Sequence, residues 1–291
     1  MTRRAPIAAS RPLHARLLAQ DLGELLESPR WHRTRQRISL VDVPTGRVIE
    51  IAPDSHAVSE YQTEIKPLSA ALPWGTSGYL LVGSDGIWAW SPHGATTLWA
   101  EIPHELDIVS NDALLHDGAV WVGRMDVYER PGAGSLWRIG PGVAQIVAGG
   151  LTLPNGLVPT RGARGVLFAE SAARSIYCLP ADAQNLNPAS LALHLAVPDW
   201  IPDGLARDHL GHLWVARWGE GAVTRIPTAS LPQLDVHIST LQTTAAAFDP
   251  HGDMYITTAR ENFDARQRVA DPFAGSVFAA SIVDTRSARK R

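Results

Sequence analysis

The chain is written in short apolar runs separated by Gly, Asn, Asp and Pro. Ile38-Ser39-Leu40-Val41, Tyr79-Leu80-Leu81-Val82, Gly86-Ile87-Trp88-Ala89-Trp90 and Ala222-Val223-Thr224-Arg225-Ile226 alternate or run apolar between turn residues, as strands do. No window carries a sustained helical stripe. One stretch shows the unit in full: Ile201-Pro202-Asp203-Gly204-Leu205 continues through Gly211 to Leu213-Trp214-Val215-Ala216. It reads as a tight entry, a strand, a Gly turn and an aromatic-bearing strand, with a lone acid ahead of the first strand. Leu153-Pro154-Asn155-Gly156-Leu157 leading to Val166-Leu167-Phe168-Ala169, and Ser110-Asn111-Asp112 leading to Val120-Trp121-Val122-Gly123, repeat that phrase.

The phrase has a period. The strand centres Ser39, Leu80, Trp121, Phe168, Trp214 and Tyr255 stand 41, 41, 47, 46 and 41 residues apart, and a further strand follows each. A four-stranded sheet with short turns needs about 40–50 residues, and radial repetition of such sheets makes a propeller. The expected fold is therefore all-β, a six-bladed β-propeller with four-stranded blades around a central channel. Residues 23–283 are expected to form this single domain. Residues 1–22 include His14-Ala15-Arg16-Leu17-Leu18-Ala19-Gln20, a closing strand or a short helix, and 284–291 form a basic tail expected to be disordered. Large aromatics such as Phe168 and Trp214 are expected between blades.

Composition removes several function classes. A net charge of −3 gives no sign of a nucleic-acid surface, and Cys178, the one cysteine, excludes an internal disulfide and a CxxC pair. No apolar stretch is long enough to span a bilayer, and the N-terminus lacks a secretory apolar core. The expected address is cytoplasmic, with no nucleic-acid or membrane partner, a small-molecule substrate, and a monomer or small homo-oligomer. No GxSxG elbow surrounds Ser171 and no HExxH occurs. His93, His116, His209, His212 and His251 lie beside turns and are expected to be solvated.

About a dozen residues before each strand centre, where the innermost strand of a blade begins, stand Glu27, the neighbourhood of Ser69, Asn111, Asn155, Asp203 and the neighbourhood of Thr244. In a propeller these positions form a ring at one mouth of the channel. Two like charges about 4 Å apart at an effective dielectric near 20 repel by roughly 4 kcal/mol, so a proton or a cation must sit among the acids. The donors are all oxygens, which favours Ca²⁺, Mg²⁺ or Mn²⁺ without excluding Zn²⁺. Pro-Asn-Gly and Pro-Asp-Gly are also ordinary turn sequences; their shared repeat phase with Glu27 and Asn111 is what turn chemistry alone does not supply.

Glu27-Ser28-Pro29-Arg30-Trp31, Ser110-Asn111-Asp112, Leu153-Pro154-Asn155-Gly156, Pro202-Asp203-Gly204-Leu205 with Leu213-Trp214-Val215-Ala216, and Thr257-Thr258-Ala259-Arg260 resemble the motifs of the SMP-30/gluconolactonase/luciferin-regenerating family. The resemblance implies a six-bladed propeller that hydrolyses lactones with one divalent ion in the channel, Ca²⁺ ahead of Mg²⁺, Mn²⁺ or Zn²⁺. By motif, Glu27, Asn155 and Asp203 would be ligands, and Asn111 would contact the metal directly or through water or substrate. Asp203 would also be the general base. Sugar-lactone members carry an Arg two residues before the Asn of the Asn-Asp motif, and Gly then Lys after it; here Val109, Ala113 and Leu114 stand there. With Met125, Tyr128 and Trp218 at the mouth, the expected substrate is a lactone or related ester less polar than a sugar lactone, though packing within the blades would account for those three equally. A binding propeller without turnover, or a different biosynthetic reaction on the same scaffold, are the alternatives.

Overall fold

Each of the six apolar units folds into one antiparallel sheet. The computed structural model describes residues 13–162 and 165–282. The first blade contains Leu26–His32, Arg37–Asp42, Arg47–Ile51 and Val58–Gln62; the second, Ala70–Trp74, Gly78–Val82, Gly86–Trp90 and Thr97–Glu101. The third contains Ile108–His116, Ala119–Asp126, Gly134–Gly140 and Val143–Leu151, and the fourth Pro154–Pro159, Gly165–Glu170, Ser175–Pro180 and Ala192–Ala196. Ile201–Arg207, Leu213–Trp218, Ala222–Arg225 and Leu234–His237 build the fifth, where Leu13–His14 adds a short parallel edge. The sixth is composite: Thr243–Phe248, Asp253–Thr258 and Val277–Ser281 are completed by Arg16–Ala19 from the other end of the chain. All six strand centres read from the sequence lie in the second strand of their blade.

The core is divided the same way. Six buried apolar clusters are seen among the described residues, one between each pair of neighbouring blades. Middle strands send alternate side chains to opposite neighbours: Val120 and Val122 pack toward the second blade, Trp121 toward the fourth. Both faces are therefore dry, and this is why these strands read as apolar runs. Phe168 and Trp214 are fully buried in such layers, as expected.

Among the described residues one α-helix, besides a 3-10 turn at Pro188–Ser190, interrupts the all-β pattern. Ala265–Ala270 lies in the connection between the second and third strands of the sixth blade. Its signal was local and not periodic: Asp264 accepts the Gln267 backbone N–H while Gln267 reaches back to the Asp264 N–H, a capping box. Arg260 and Arg268 tie this connection to Asp21 and Glu24. The basic tail at 284–291 lies outside the described residues. No described helix is long and apolar enough to cross a membrane.

Candidate active site

Five of the six innermost strands carry a one-residue bulge at the same place. The register slips between Glu27 and Arg30, Ser110 and Ala113, Asn155 and Leu157, Pro202 and Leu205, and Thr243 and Ala245. A bulge bends the strand and re-aims side chains that strict alternation would bury between blades. Neighbouring backbones are then so close that a side chain would not fit: a Cβ on Gly156 would stand 2.3 Å from the Asp203 carbonyl oxygen, and one on Gly204 would stand 2.5 Å from Ala245 Cβ. The glycines of Pro-Asn-Gly and Pro-Asp-Gly are thus fixed by packing across the channel wall.

The ring positions divide into two kinds. Ser69 donates to the Val82 carbonyl and Thr244 to the Leu26 carbonyl, so both are spent on backbone stitching. Acids and amides occupy the rest. Asn155 stands beside Asp203 and favours its ionised form, while its own Oδ1 accepts the Gly156 N–H at 3.0 Å. Asn111 donates to the Pro154 carbonyl at 3.2 Å, which leans it toward Asn155. Asp203 is 4% exposed, and its Oδ1 is buried with no hydrogen-bond partner. Burial, then the charges of Asp203 and Asp112, push the Glu27 carboxyl well above the ordinary carboxylate range. Burial and Asp112 do the same to Asp203, against the polar groups of Asn155 and the Gly204 backbone.

Two channel residues were not singled out by the repeat. Asp112 follows Asn111 inside the bulge; its Oδ1 accepts the Ala113 N–H at 2.7 Å and its Oδ2 the Leu157 N–H at 3.2 Å. Arg30 stands across from it, with Nη2 3.6 Å from Asp112 Oδ1. Their signal in the sequence was a pair of charged residues on strands that should be buried. Glu27 and Asp112 feel this guanidinium and Asp203 stands close to both acids, so the channel gathers three carboxyl groups and one guanidinium.

That surplus, the open Asp203 Oδ1 and an all-oxygen donor set fit a divalent cation. Among the described residues no three His, Cys, Asp or Glu side chains form a group that could hold a metal by themselves. Glu27 and Asp203 would need the amides of Asn155 and Asn111, whose carbonyl oxygens carry two lone pairs each.

The residues expected at the mouth separate. Val109 and Met125 are cross-strand partners, both half-buried beside the Asn111 bulge. Trp218 pairs with Ile201 and bridges to Gln242, and Tyr128 is 72% exposed on the following turn of the third blade. Leu114 does not reach the mouth: past the bulge it packs with Trp121, Leu136 and Phe168 between the third and fourth blades. Gln242 exchanges hydrogen bonds with the Glu261 backbone, placing Glu261 at the rim close enough to act on Asp203. His93, His209 and His251 are exposed, but His116 and His212 are half-buried, the latter with Nδ1 2.9 Å from Asp208 Oδ2.

A six-bladed propeller with an acid-and-amide ring at one mouth is the class that fold and site define. Residues 25–260 match the SMP-30/gluconolactonase/LRE-like model, and the chain belongs to that family. It is 25% identical over 262 residues to the pentonolactonase XacC of Haloferax volcanii, covering 87% of this chain and 88% of the relative. It is 27% identical over 280 residues to the L-arabinolactonase of Azospirillum brasilense, covering 91% of each. Among solved structures, regucalcin from Agrobacterium tumefaciens, described as a calcium-binding protein, superposes with a TM-score of 0.84 at 26% identity, covering 95% of this chain and 96% of that one. The luciferin-regenerating enzyme structure, at 20% identity and a TM-score of 0.74 over 92% of this chain and 94% of that one, shares the fold.

Proposed function

We propose that this protein is a hydrolase that opens a lactone ring, using one divalent metal ion held by Glu27, Asn155 and Asp203 with Asn111 beside them. The observation that carries the reading is Asp203: a carboxylate buried in the channel beside Asn155, with Oδ1 left open next to a second crowded acid. The lactonase relatives support the reaction class. Ca²⁺ is the first candidate, because the donors are hard oxygens and the regucalcin neighbour is a calcium-binding protein.

Bound there, a divalent ion supplies Lewis acidity to the ester carbonyl and acidifies water. The chain supplies the rest. One carboxylate oxygen of Asp203 would meet the ion and the other accept the proton of the attacking water, within the role of a carboxylate whose affinity for protons is raised by burial. Asn155 beside it favours the ionised carboxylate. Asn111, whose amide donates to the Pro154 carbonyl, would offer its carbonyl oxygen to the ion.

The substrate is a lactone less polar than a sugar lactone. Val109 stands where sugar-lactone members place an Arg, and its cross-strand partner Met125 and half-buried Trp218 add an apolar wall.

The test is proton release on a pH-stat with sugar, alkyl and aryl lactones, comparing Ca²⁺-loaded and chelated protein. Turnover lost on chelation, with a higher kcat/KM for alkyl or aryl lactones, is expected. Metal binding without opening of any lactone would instead favour a binding propeller, and a preference for sugar lactones would remove the apolar-substrate reading alone.

A further inference from the structure

Arg30 is a cation inside a channel otherwise built to hold one. It lies three residues beyond Glu27 on the innermost strand of the first blade, and the bulge between them lets both side chains face the channel. Its guanidinium skips the second blade altogether: Nη2 donates to the Ala113 carbonyl of the third blade at 2.9 Å, while Nη1 donates to its own neighbour Pro29 at 2.9 Å. From there Nη2 stands 3.6 Å from Asp112 Oδ1, with the two side chains 21% and 13% exposed.

Both Asp112 oxygens are thereby engaged. Its two oxygens take backbone N–H groups from the third and fourth blades, and its charge faces a guanidinium that does not deprotonate in a protein. A carboxylate so placed is a poor ligand, although it is close enough to Glu27 and Asp203 to act on both.

Resting on the one-metal reading above, we infer that Arg30 is a built-in counter-cation that withdraws Asp112 from the metal set. It limits the channel to one divalent ion and sets how tightly that ion is held. Without the guanidinium, three carboxylates would face the channel, and they would hold a divalent ion more tightly or admit a second one.

The test is calorimetric titration of the apo protein with CaCl₂ and with MnCl₂, on the wild type, Arg30→Met, Arg30→Lys and Arg30→Met/Asp112→Asn, with thermal unfolding of each to establish that it is folded. Removing one positive charge beside a divalent ion is expected to tighten binding on the order of tenfold, or to add a second equivalent. Arg30→Lys, which keeps the charge, is expected to bind as the wild type does. The double variant, which removes both charges, is expected to return to wild-type behaviour. Arg30→Gln keeps a donor for the Ala113 carbonyl and serves in place of Arg30→Met should the latter not fold. Wild-type affinity and stoichiometry in the charge-removing variants, or a double variant as tight as the single one, would overturn the inference. Binding by Arg30→Met but not by the wild type would sink the one-metal reading while upholding the role of Arg30. No binding by either would sink both.

Discussion

Asp203, the proposed proton acceptor, is buried beside Asn155 and Gly204 with one oxygen left open. This placement comes from Pro202-Asp203-Gly204, because the glycine permits the close backbone approach and the bulge turns the side chain inward. Asp203→Asn keeps the shape and removes the proposed base. Turnover should fall by about 10²–10⁴-fold. The apo thermal midpoint should stay level or rise, since one of three crowded acids is gone; kinetics and a melting curve on the same preparation would check this, and unfolding of the variant would mean Asp203 serves the fold instead. At this scale the sequence was legible for residues in the repeat phase. It was not legible for Arg30 and Leu114, whose directions depend on which side of a bulge they fall.

At the scale of the element, one turn recurs between the first and second strands of the fifth and sixth blades. Asp208 accepts the Leu210 N–H at 3.0 Å, the His212 N–H and ring Nδ1 at 2.9 Å each, and Trp214 Nε1 at 3.0 Å. Asp249 accepts the His251 and Asp253 N–H groups at 2.8 and 2.9 Å and the Tyr255 hydroxyl at 3.2 Å. Each carboxylate thus ties a Gly turn to the aromatic that packs between blades. Burial alone would raise the Asp208 pKa, but the bonds from Trp214 and His212 outweigh it and hold the group below the usual range. A carboxylate lowered in this way contributes stability above its unfolded pKa, near 3.9, and loses it as pH falls through the folded value. Asp208→Asn should therefore melt earlier than the wild type at neutral pH, with the gap closing below about pH 4. A gap independent of pH would mean that the charge contributes nothing. The bulges themselves left little trace in the sequence, because an extra residue in an apolar run looks like a longer run.

For the whole molecule, the decisive contact is between its ends. Arg16–Ala19 pairs with Val277–Ser281, and Leu18 enters the buried layer shared by the sixth and first blades. Ala15 N–H reaches the His237 carbonyl, so the same segment also grips the fifth blade. A chain starting at Gln20 would expose the edge of Val277–Ser281 and part of an apolar layer. It should melt well below the full chain and aggregate as concentration rises, as light scattering during a thermal ramp would show. An unchanged midpoint would mean that the six layers hold without a closed sixth blade.

The sequence by itself determined the number of blades, the place of each second strand and the residues that share the ring, because all three follow from period and turn chemistry along one chain. Ser69 and Thr244 already show its limit: they share the repeat phase of Asp203, yet spend their hydroxyls on neighbouring carbonyls. Only the tertiary structure decided which ring members face the channel, that Arg30 crosses from the first blade to the third, and that Leu114 turns away into an interblade layer. The physical reason is that these facts depend on one-residue slips in register and on distances between blades far apart in sequence. Hydrophobic pattern encodes which face of a strand is dry; it does not encode where an inserted residue exchanges one face for the other.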